Sequence, residues 1–227
     1  MNLRSIKPPH ETRTRILDAA EELFMQHGFE GTSMRLLTAQ AGANLAAVNY
    51  HFGSKDALIE AVFRRRLDPM NAARIAELDR LEAEAAGRAL APEAIIRAFV
   101  GASLRMIEDA RGGGRNFIRL LGRTYTDPQK RIRALIGQLY APAMERFKAA
   151  FGRALPHMPT EELVWRMHFM FGTLAYTLAA TDTVQLIAGC KPEDRYDARL
   201  LEARLTAFLA AGLIAPLHGA RDVKKAA

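Results

Sequence analysis

Several polar side chains with hydrogen-bonding groups that suit nucleic acid occur close together in the first quarter of the chain. Tyr50, His51 and Lys55 supply a phenol, an imidazole and an ammonium group, which can donate to phosphate oxygens. Asn49 carries a carboxamide that can bond adenine in the major groove, and the guanidinium of Arg35 can bond guanine. We therefore expect this region to contact double-stranded DNA.

The residues around these polar groups have the pattern of two short helices joined by a tight turn. Ser33 can cap the first helix, and Gly42 can take the left-handed conformation that ends it. Asn44 starts the second helix, and we expect its Leu45 and Val48 to point inward. The pattern predicts a helix-turn-helix.

The second helix is short, slender and nearly uncharged, which suits a rod that enters the major groove. Ala46 and Ala47 can contact thymine methyl groups there. An alternative interpretation is a helical hairpin inside a core, with Tyr50 and Phe52 as ordinary packing residues. The neighbouring polar groups show no apolar periodicity, which favours the groove-binding interpretation.

This segment resembles the TetR family of bacterial transcriptional regulators. The family signature runs from a threonine before the first of these helices through Ala-Gly, a tyrosine and His-Phe to a lysine and a leucine. Over residues 14–67 the chain supplies Thr32, Leu37, Ala41, Gly42, Tyr50, His51, Phe52, Lys55 and Leu58. Two residues depart from the pattern: Ala46 stands where the family usually has glycine, and Asn49 where most members place the tyrosine.

The resemblance implies roles for individual residues. Base edges would face Arg35, Leu45, Ala47 and Asn49. Phosphates would be held by Ser33, Tyr50, His51 and Lys55, with Asn44 in the same DNA-binding set. Both departures lie on the reading face, so they bear on the operator sequence and not on the fold.

Composition agrees with a DNA-binding protein. A net charge of +7 favours polyanionic partners, and 49% hydrophobic residues are enough for a sizeable core. The single cysteine excludes an internal disulfide, and no metal-ligand or nucleophile-base motif is present, so we expect no metal, no cofactor and no enzyme activity. We see neither a secretion signal nor a membrane-spanning stretch, and we expect a cytoplasmic protein that joins the nucleoid when bound to DNA.

Periodicity along the chain predicts an all-α fold. Apolar residues recur every three or four positions, and proline or acidic residues mark helix starts at Pro92, Asp127-Pro128 and Thr160. The first helix covers 12–27 with a stop at Gly28. A fourth helix opens at Ser54 and continues out of the DNA-binding unit towards the rest of the chain. We divide the chain into a flexible basic arm (1–10), a helix-turn-helix domain with three helices (11–67) and a helical bundle for effector binding and dimerisation (68–227). The Arg64-Arg65-Arg66 run near that boundary is expected to be a solvated helix face, and a distant phosphate contact is the alternative.

The middle of the chain is rich in aromatic residues and methionine, which can form a core or line an adaptable apolar cavity. The candidate effector pocket consists of Phe99, Met106, Asn116, Phe117, Arg119, Leu120, Arg123, Tyr140, Trp165 and Phe169. Arg119 and Arg123 could hold an anionic head group or lie in solvent. A looser resemblance to the PsrA-like, fatty-acid-responsive branch implies a small hydrophobic, acyl-type effector.

Two later helices carry more apolar surface than one partner helix can cover. A helix predicted over Glu161–Ala188 and a second one near Leu200 would pair with their copies in a homodimer, as the family resemblance implies. The expected interface consists of Met167, Phe171, Leu174, Leu178, Leu201, Leu205 and Phe208.

Together these features predict a repressor that binds a palindromic operator as a dimer and is released by the effector. A ligand-dependent activator and a nonspecific DNA-coating protein are the alternatives. A palindrome is expected because two copies of one short helix can read successive faces of the major groove.

Overall fold

A computed structural model describes residues 9–108, 114–124, 129–178 and 197–217. These ranges contain helices and no strand, which confirms the predicted all-α class. The helices are α1 (Pro9–Gly31), α2 (Met34–Ala41), α3 (Leu45–Phe52), α4 (Lys55–Ala85), α5 (Pro92–Glu108), α6 (Gly114–Thr124), α7 (Lys130–Ala154), α8 (Thr160–Leu178) and α9 (Ala198–Ile214). Almost all of the predicted basic arm, the Asp127-Pro128 helix start and positions 179–188 of the predicted long helix lie outside the described residues.

Side-chain caps fix the starts of three consecutive helices near the N-terminus. The backbone N–H groups of Leu36, Ala47 and Ala57 donate to the side-chain oxygens of Ser33, Asn44 and Ser54, at 3.1, 2.8 and 3.1 Å. Each cap satisfies a donor that the first turn of a helix leaves without an intrahelical acceptor. The predicted helix starts at these three residues are confirmed.

Two glycines set the directions of the first helices. Gly42, at φ 57° and ψ 39°, ends α2 in the left-handed conformation, as expected. Gly28, at φ 73° and ψ 176°, kinks α1 where the sequence predicts a stop, and the helix resumes for three residues. The buried hydroxyl of Thr32 donates to the carbonyl of Gly28 at 2.8 Å, which holds the kink against the start of α2.

The long helix α4 belongs to both parts of the molecule. Its first half buries Leu58 and Phe63 in the core formed with α1, α2 and α3. The helix then continues through Pro69, and its second half packs against α5 and α7. The expected boundary after residue 67 therefore falls inside a continuous helix.

The Arg64-Arg65-Arg66 run is not the solvated face that the sequence predicts. Arg65 and Arg66 both bind the carboxylate of Glu21, which is 4% exposed on α1, while Arg64 pairs with Glu60. Burial of Arg65 lowers its pKa, but its hydrogen bonds to Glu21 and Asp18 outweigh this effect and raise the pKa above the ordinary value. This network joins α4 to α1 across the N-terminal core.

The remaining helices form a bundle around the second half of α4. Helix α9 packs along α5, while α8 contacts α6, α7 and α9. Arg166 of α8 caps the end of α9 by donating to the carbonyls of Leu213 and Ala215, at 2.8 and 2.6 Å. None of the described helices combines the length and apolarity needed to cross a bilayer.

Candidate nucleic-acid interface and effector cavity

Helix α3 presents a continuous outward face. Asn49 and Tyr50 are exposed, and Tyr50 is 83% accessible to solvent. Val48 anchors the opposite side of the helix, at 1% exposure. Leu45 is 53% exposed, so the expectation that it points inward is wrong. It is the first residue of a helix capped by Asn44, and only the next turn of α3 reaches the core.

Polar side chains flank this face on two sides, and one of them is Arg35 of α2, which is exposed. The predicted base-facing residue Ala47 of α3 is half-buried beside the exposed residues. His51 and Lys55, both half-buried, lie at the end of α3 and the start of α4. The first turn of α4 begins beside these groups, and the positive end of a helix dipole suits a phosphate.

Ser33 and Asn44 have a structural role in addition to the expected DNA contact. Both oxygens accept from N–H groups of the helices that they cap. Arg13 was missed by the sequence reasoning: its guanidinium lies 5.4 Å from the ring centroid of Phe52, so it adds positive charge beside the end of α3. Its position on the first turns of α1 gives no local signal, since the contact forms only when α1 crosses α3.

Two neighbouring cavities among the described residues of the bundle share a wall, and a separate one of about 490 Å³ lies between α5 and α9. The outer cavity has a volume of about 360 Å³ and is lined by Thr124, Arg133, Ile136, Gly137, Tyr140, Met144 and Phe171. The inner cavity has a volume of about 20 Å³ and is lined by Arg74, Ser103, Ile118, Leu121, Gly122, Tyr140, Phe171, Leu174, Ala175 and Leu178. The rings of Tyr140 and Phe171, with centroids 6.0 Å apart, belong to both linings.

The predicted pocket residues are only partly brought together. Tyr140 lines both cavities. Three others, Phe99, Phe117 and Leu120, are fully buried in the surrounding core, and Met106 is partly buried against it. Trp165 and Phe169 are 53% and 61% exposed on the outside of α8, away from both linings. Asn116, Arg119 and Arg123 occur on α6, but their side chains lie outside what the structure describes.

The expected dimer residues also divide between two sides of their helices. Within the chain itself, Met167, Leu174, Leu178 and Leu205 are buried, Leu201 is half-buried and Phe171 lines the cavities. Phe208 alone of this set is widely exposed, at 69%. The outward apolar residues of α8 are instead Trp165, Phe169 and Tyr176. Periodicity identifies residues that share a helix face, but it does not tell which face a single chain covers by itself.

No cluster of three or more His, Cys, Asp and Glu residues that could hold a metal ion occurs in the part of the chain that the structure describes.

Residues 16–62 match the family model described as bacterial regulatory proteins of the tetR family. Residues 97–212, half of the chain, match the model of the tetracyclin repressor-like C-terminal domain. The chain belongs to the TetR family.

Curated TetR-type relatives are similar to the N-terminal part. The transcriptional repressor AcnR of Corynebacterium glutamicum is 35% identical over 78 residues, which are 34% of this chain and 39% of AcnR. The regulator UidR of Escherichia coli K12 is 43% identical over 51 residues, or 22% of this chain and 26% of UidR. The matches thus span well under half of either relative.

Solved TetR structures share the fold over most of the chain. A TetR-family regulator from Shewanella sp. PV-4 superposes with a TM-score of 0.60 at 18% identity, covering 87% of this chain and 95% of that one. The fatty acid degradation regulator FadR of Bacillus halodurans gives 0.61 at 15%, covering 89% and 96%. At these identities the similarity establishes the TetR architecture alone.

Proposed function

We propose that this TetR-family chain is a repressor that binds a palindromic operator as a homodimer and releases it when a small hydrophobic effector binds. The observation that carries the proposal is the outward face of α3, where Leu45, Asn49 and Tyr50 are exposed on a helix held by two caps. Exposed apolar and aromatic side chains on a rigid helix contribute favourable binding free energy when a partner surface covers them. A repressor of this kind acts on the chromosome, so its proposed location is the cytoplasm, at the nucleoid.

A second copy of the chain is the partner that best fits the outward stripe on α8 and α9. Trp165, Phe169 and Tyr176 on α8 and Phe208 on α9 are all at least half-exposed. The two helices contact each other, so two copies related by a twofold axis would form a four-helix interface. Such a dimer would present two α3 helices to one face of DNA, at half-sites about 34–36 Å apart.

The two cavities support effector binding next to elements that reach the DNA-binding part. Ile118, Leu121 and Gly122 of α6 line the inner cavity, and the same helix packs against α1. The ring centroids of Phe117 and Phe63 lie 5.8 Å apart, and Arg131 of α7 forms an ion pair with Asp56 at the start of α4. A ligand that displaces α6 or α7 would thus shift α1 and α4. This shift would change the separation of the two α3 helices, the reading helices of the proposed dimer.

Selection of bound duplexes from a random pool tests the proposal. We expect enrichment of an inverted repeat whose half-sites lie about one helical turn apart, as expected for two α3 helices in successive major grooves. A protein that coats DNA nonspecifically would enrich no sequence. Transcription from a promoter that carries the selected site is then measured with and without the protein, which separates repression from activation. Higher transcription in the presence of the effector-free protein would contradict the proposed repressor.

A further inference from the structure

A glycine lies inside helix α7 at a position where the fold does not require one. Gly137 is exposed, has no positive φ, and a Cβ at this position would meet no atom within 4 Å. Neither the backbone conformation nor crowding therefore excludes a larger residue. Because glycine weakens a helix interior relative to alanine, its presence at this position calls for another explanation.

The space beside Gly137 belongs to the outer cavity. The residues of α7 that line this cavity recur at helical spacing and form one stripe of the helix, which consists of Arg133, Ile136, Gly137, Tyr140 and Met144. Because Gly137 is both exposed and part of the lining, it lies where the cavity opens to solvent. The missing side chain keeps this opening wide and lets a ligand approach the backbone of α7 closely.

Two aromatic rings form the wall that the outer cavity shares with the inner one. The ring of Phe171 makes edge-to-face contacts with Tyr140 and Phe99, at centroid distances of 6.0 and 5.0 Å. The guanidinium of Arg74, which lines the inner cavity, lies 5.5 Å from the ring centroid of Tyr140. These contacts fix the two rings, and Met144 adds a polarisable sulfur to the lining. Such a wall favours an aromatic ligand, which gains ring–ring and sulfur–ring contacts that an aliphatic group lacks.

The hydroxyl of Tyr140 is a polar group that a ligand can complete. Tyr140 is 7% exposed, and its hydroxyl forms no hydrogen bond with any residue that the structure describes. A buried hydroxyl without a partner is unfavourable. The other polar lining residues are less available, because Thr124 already donates to the carbonyl of Leu121 at 2.6 Å and Arg133 already has an interaction of its own. Among the described lining residues, Tyr140 is therefore best placed to bind a polar atom of a ligand.

The volume of the outer cavity limits the size of the ligand. The cavity measures about 360 Å³, which lies within the range of small-molecule sites. An engineered protein cavity of roughly 150 Å³ binds benzene, so the outer cavity has room for one or two rings.

We propose that the effector is a flat aromatic molecule with a hydrogen-bonding oxygen, which lies over Gly137, packs against the rings of Tyr140 and Phe171 and bonds the Tyr140 hydroxyl. The inference rests on the proposed function, because it names the chemical class of the effector. The site is on a helix that contacts the DNA-binding part, since Arg131 of α7 forms an ion pair with Asp56 at the start of α4. The competing class is a linear aliphatic chain, which fills the same volume but gains no ring–ring contact.

Calorimetric titration of the full chain without DNA tests the aromatic class. The probes are naphthol and ethylphenol, each compared with its saturated analogue, decahydronaphthol or ethylcyclohexanol. The analogue keeps the carbon skeleton and the hydroxyl but loses the planar ring, so we expect at least one aromatic probe to bind about ten times more tightly than its analogue. Octanol represents the linear chain and is expected to bind more weakly than that aromatic probe.

Gly137→Leu tests where the probe binds. Leucine is a good helix former and its side chain has open space here, so the variant should fold with at least the thermal stability of the original chain. Its side chain would occupy the opening of the cavity, and we expect the affinity for the preferred aromatic probe to fall about tenfold or more. Gly152→Leu is the matched control, because Gly152 is on the same helix and has open space but is not part of the described cavity lining. It should leave the affinity unchanged.

Tyr140→Phe keeps the test valid should Gly137→Leu fail to fold, as circular dichroism would show. It retains the ring and removes the hydroxyl, so it should weaken naphthol binding about fivefold and leave the binding of methylnaphthalene unchanged. Equal binding of aromatic and saturated probes, binding of neither, or tighter binding of octanol overturns the proposal. Unchanged naphthol binding in folded Gly137→Leu or in Tyr140→Phe also overturns it.

The outcome is separable from that of the proposed function because the titration contains no DNA. A protein that selects an inverted repeat but shows no preference for the aromatic probes contradicts the aromatic site alone. A protein with the aromatic preference that enriches no duplex contradicts the repressor and leaves the aromatic site in place.

Discussion

Arg35 and Lys55 carry the same charge but are expected to contribute differently to DNA binding. Arg35 is exposed on α2 beside the reading helix, where a planar guanidinium can bond two acceptors of one guanine. Arg35→Ala should therefore remove about 1–3 kcal/mol of discrimination between the operator and other sequences. Lys55 lies in the first turn of α4. Lys55→Ala should weaken the binding of every duplex to the same extent, and it should reduce the slope of log affinity against log salt concentration by about 1, as expected for the loss of one phosphate contact.

Titrations of operator and scrambled duplexes at several salt concentrations measure both effects. Arg35→Lys is the matched control, since it keeps the charge and loses the bidentate geometry, and it should recover nonspecific affinity but not discrimination. Equal losses on operator and scrambled DNA for Arg35→Ala would show that Arg35 contacts phosphate only.

At the scale of residues, the sequence predicts a hydrogen bond well where the donor and the acceptor are only a few residues apart in the chain. The caps at Ser33, Asn44 and Ser54 are of this kind, because each oxygen accepts from an N–H group three residues later. The acidic partners of Arg65 and the Phe99 and Ser103 partners of Arg74 come from other helices, so these contacts depend on the tertiary fold. A signal does exist for Arg74: it stands between Met70 and Leu78 on the buried stripe of α4, where periodicity predicts an apolar residue.

The turn between α2 and α3 depends on the backbone of Gly42. At φ 57° the left-handed conformation costs a residue with a Cβ about 1–2 kcal/mol, while a Cβ there would meet no atom closer than 3.8 Å. Gly42→Ala should thus lower the free energy of unfolding by about 1 kcal/mol through backbone strain alone. Gly42→Asn should lose less, since asparagine tolerates this conformation better.

Urea unfolding monitored by circular dichroism checks this prediction, and Gly152 supplies a control of opposite sign. Gly152 is exposed on α7, has no positive φ and has open space around its Cβ direction. Gly152→Ala should raise the free energy of unfolding by about 0.5 kcal/mol, because alanine is the better helix former. A Gly42→Ala variant as stable as the original chain would mean that the turn adopts another conformation.

At the scale of elements, helix type is predictable and helix faces are less so. Amphipathic periodicity and caps locate α2, α3, α5 and the start of α8 correctly. They indicate that α4 continues beyond the DNA-binding part, but not that it passes through Pro69. There the packing of its second half on α5 and α7 compensates for the hydrogen bond that proline removes. Nor do they separate the cavity side of α8 from its outward side, since both are apolar.

At the scale of the whole molecule, shared helices would couple the proposed effector binding to DNA binding. Helix α4 starts at the DNA-binding face, passes the Glu21 network with α1 and carries Arg74 into the bundle. Helix α6 lies between the inner cavity and α1. Because binding energies are linked, an effector that weakens operator affinity by some factor must itself bind more weakly by the same factor when the operator is present.

Dimerisation is the property of the whole molecule that the outward stripe on α8 and α9 should control. Phe169 is 61% exposed at the centre of that stripe, so Phe169→Glu would bury two carboxylates against apolar surface at a twofold interface. We expect a monomer in sedimentation analysis and a loss of about 100-fold or more in operator affinity, because the second reading helix no longer binds intramolecularly. Phe169→Leu keeps the apolar contact and should remain a dimer with nearly full affinity, while both variants should bind an isolated half-site equally well. A Phe169→Glu protein that sediments as a dimer and binds the operator normally would place the interface elsewhere on the chain.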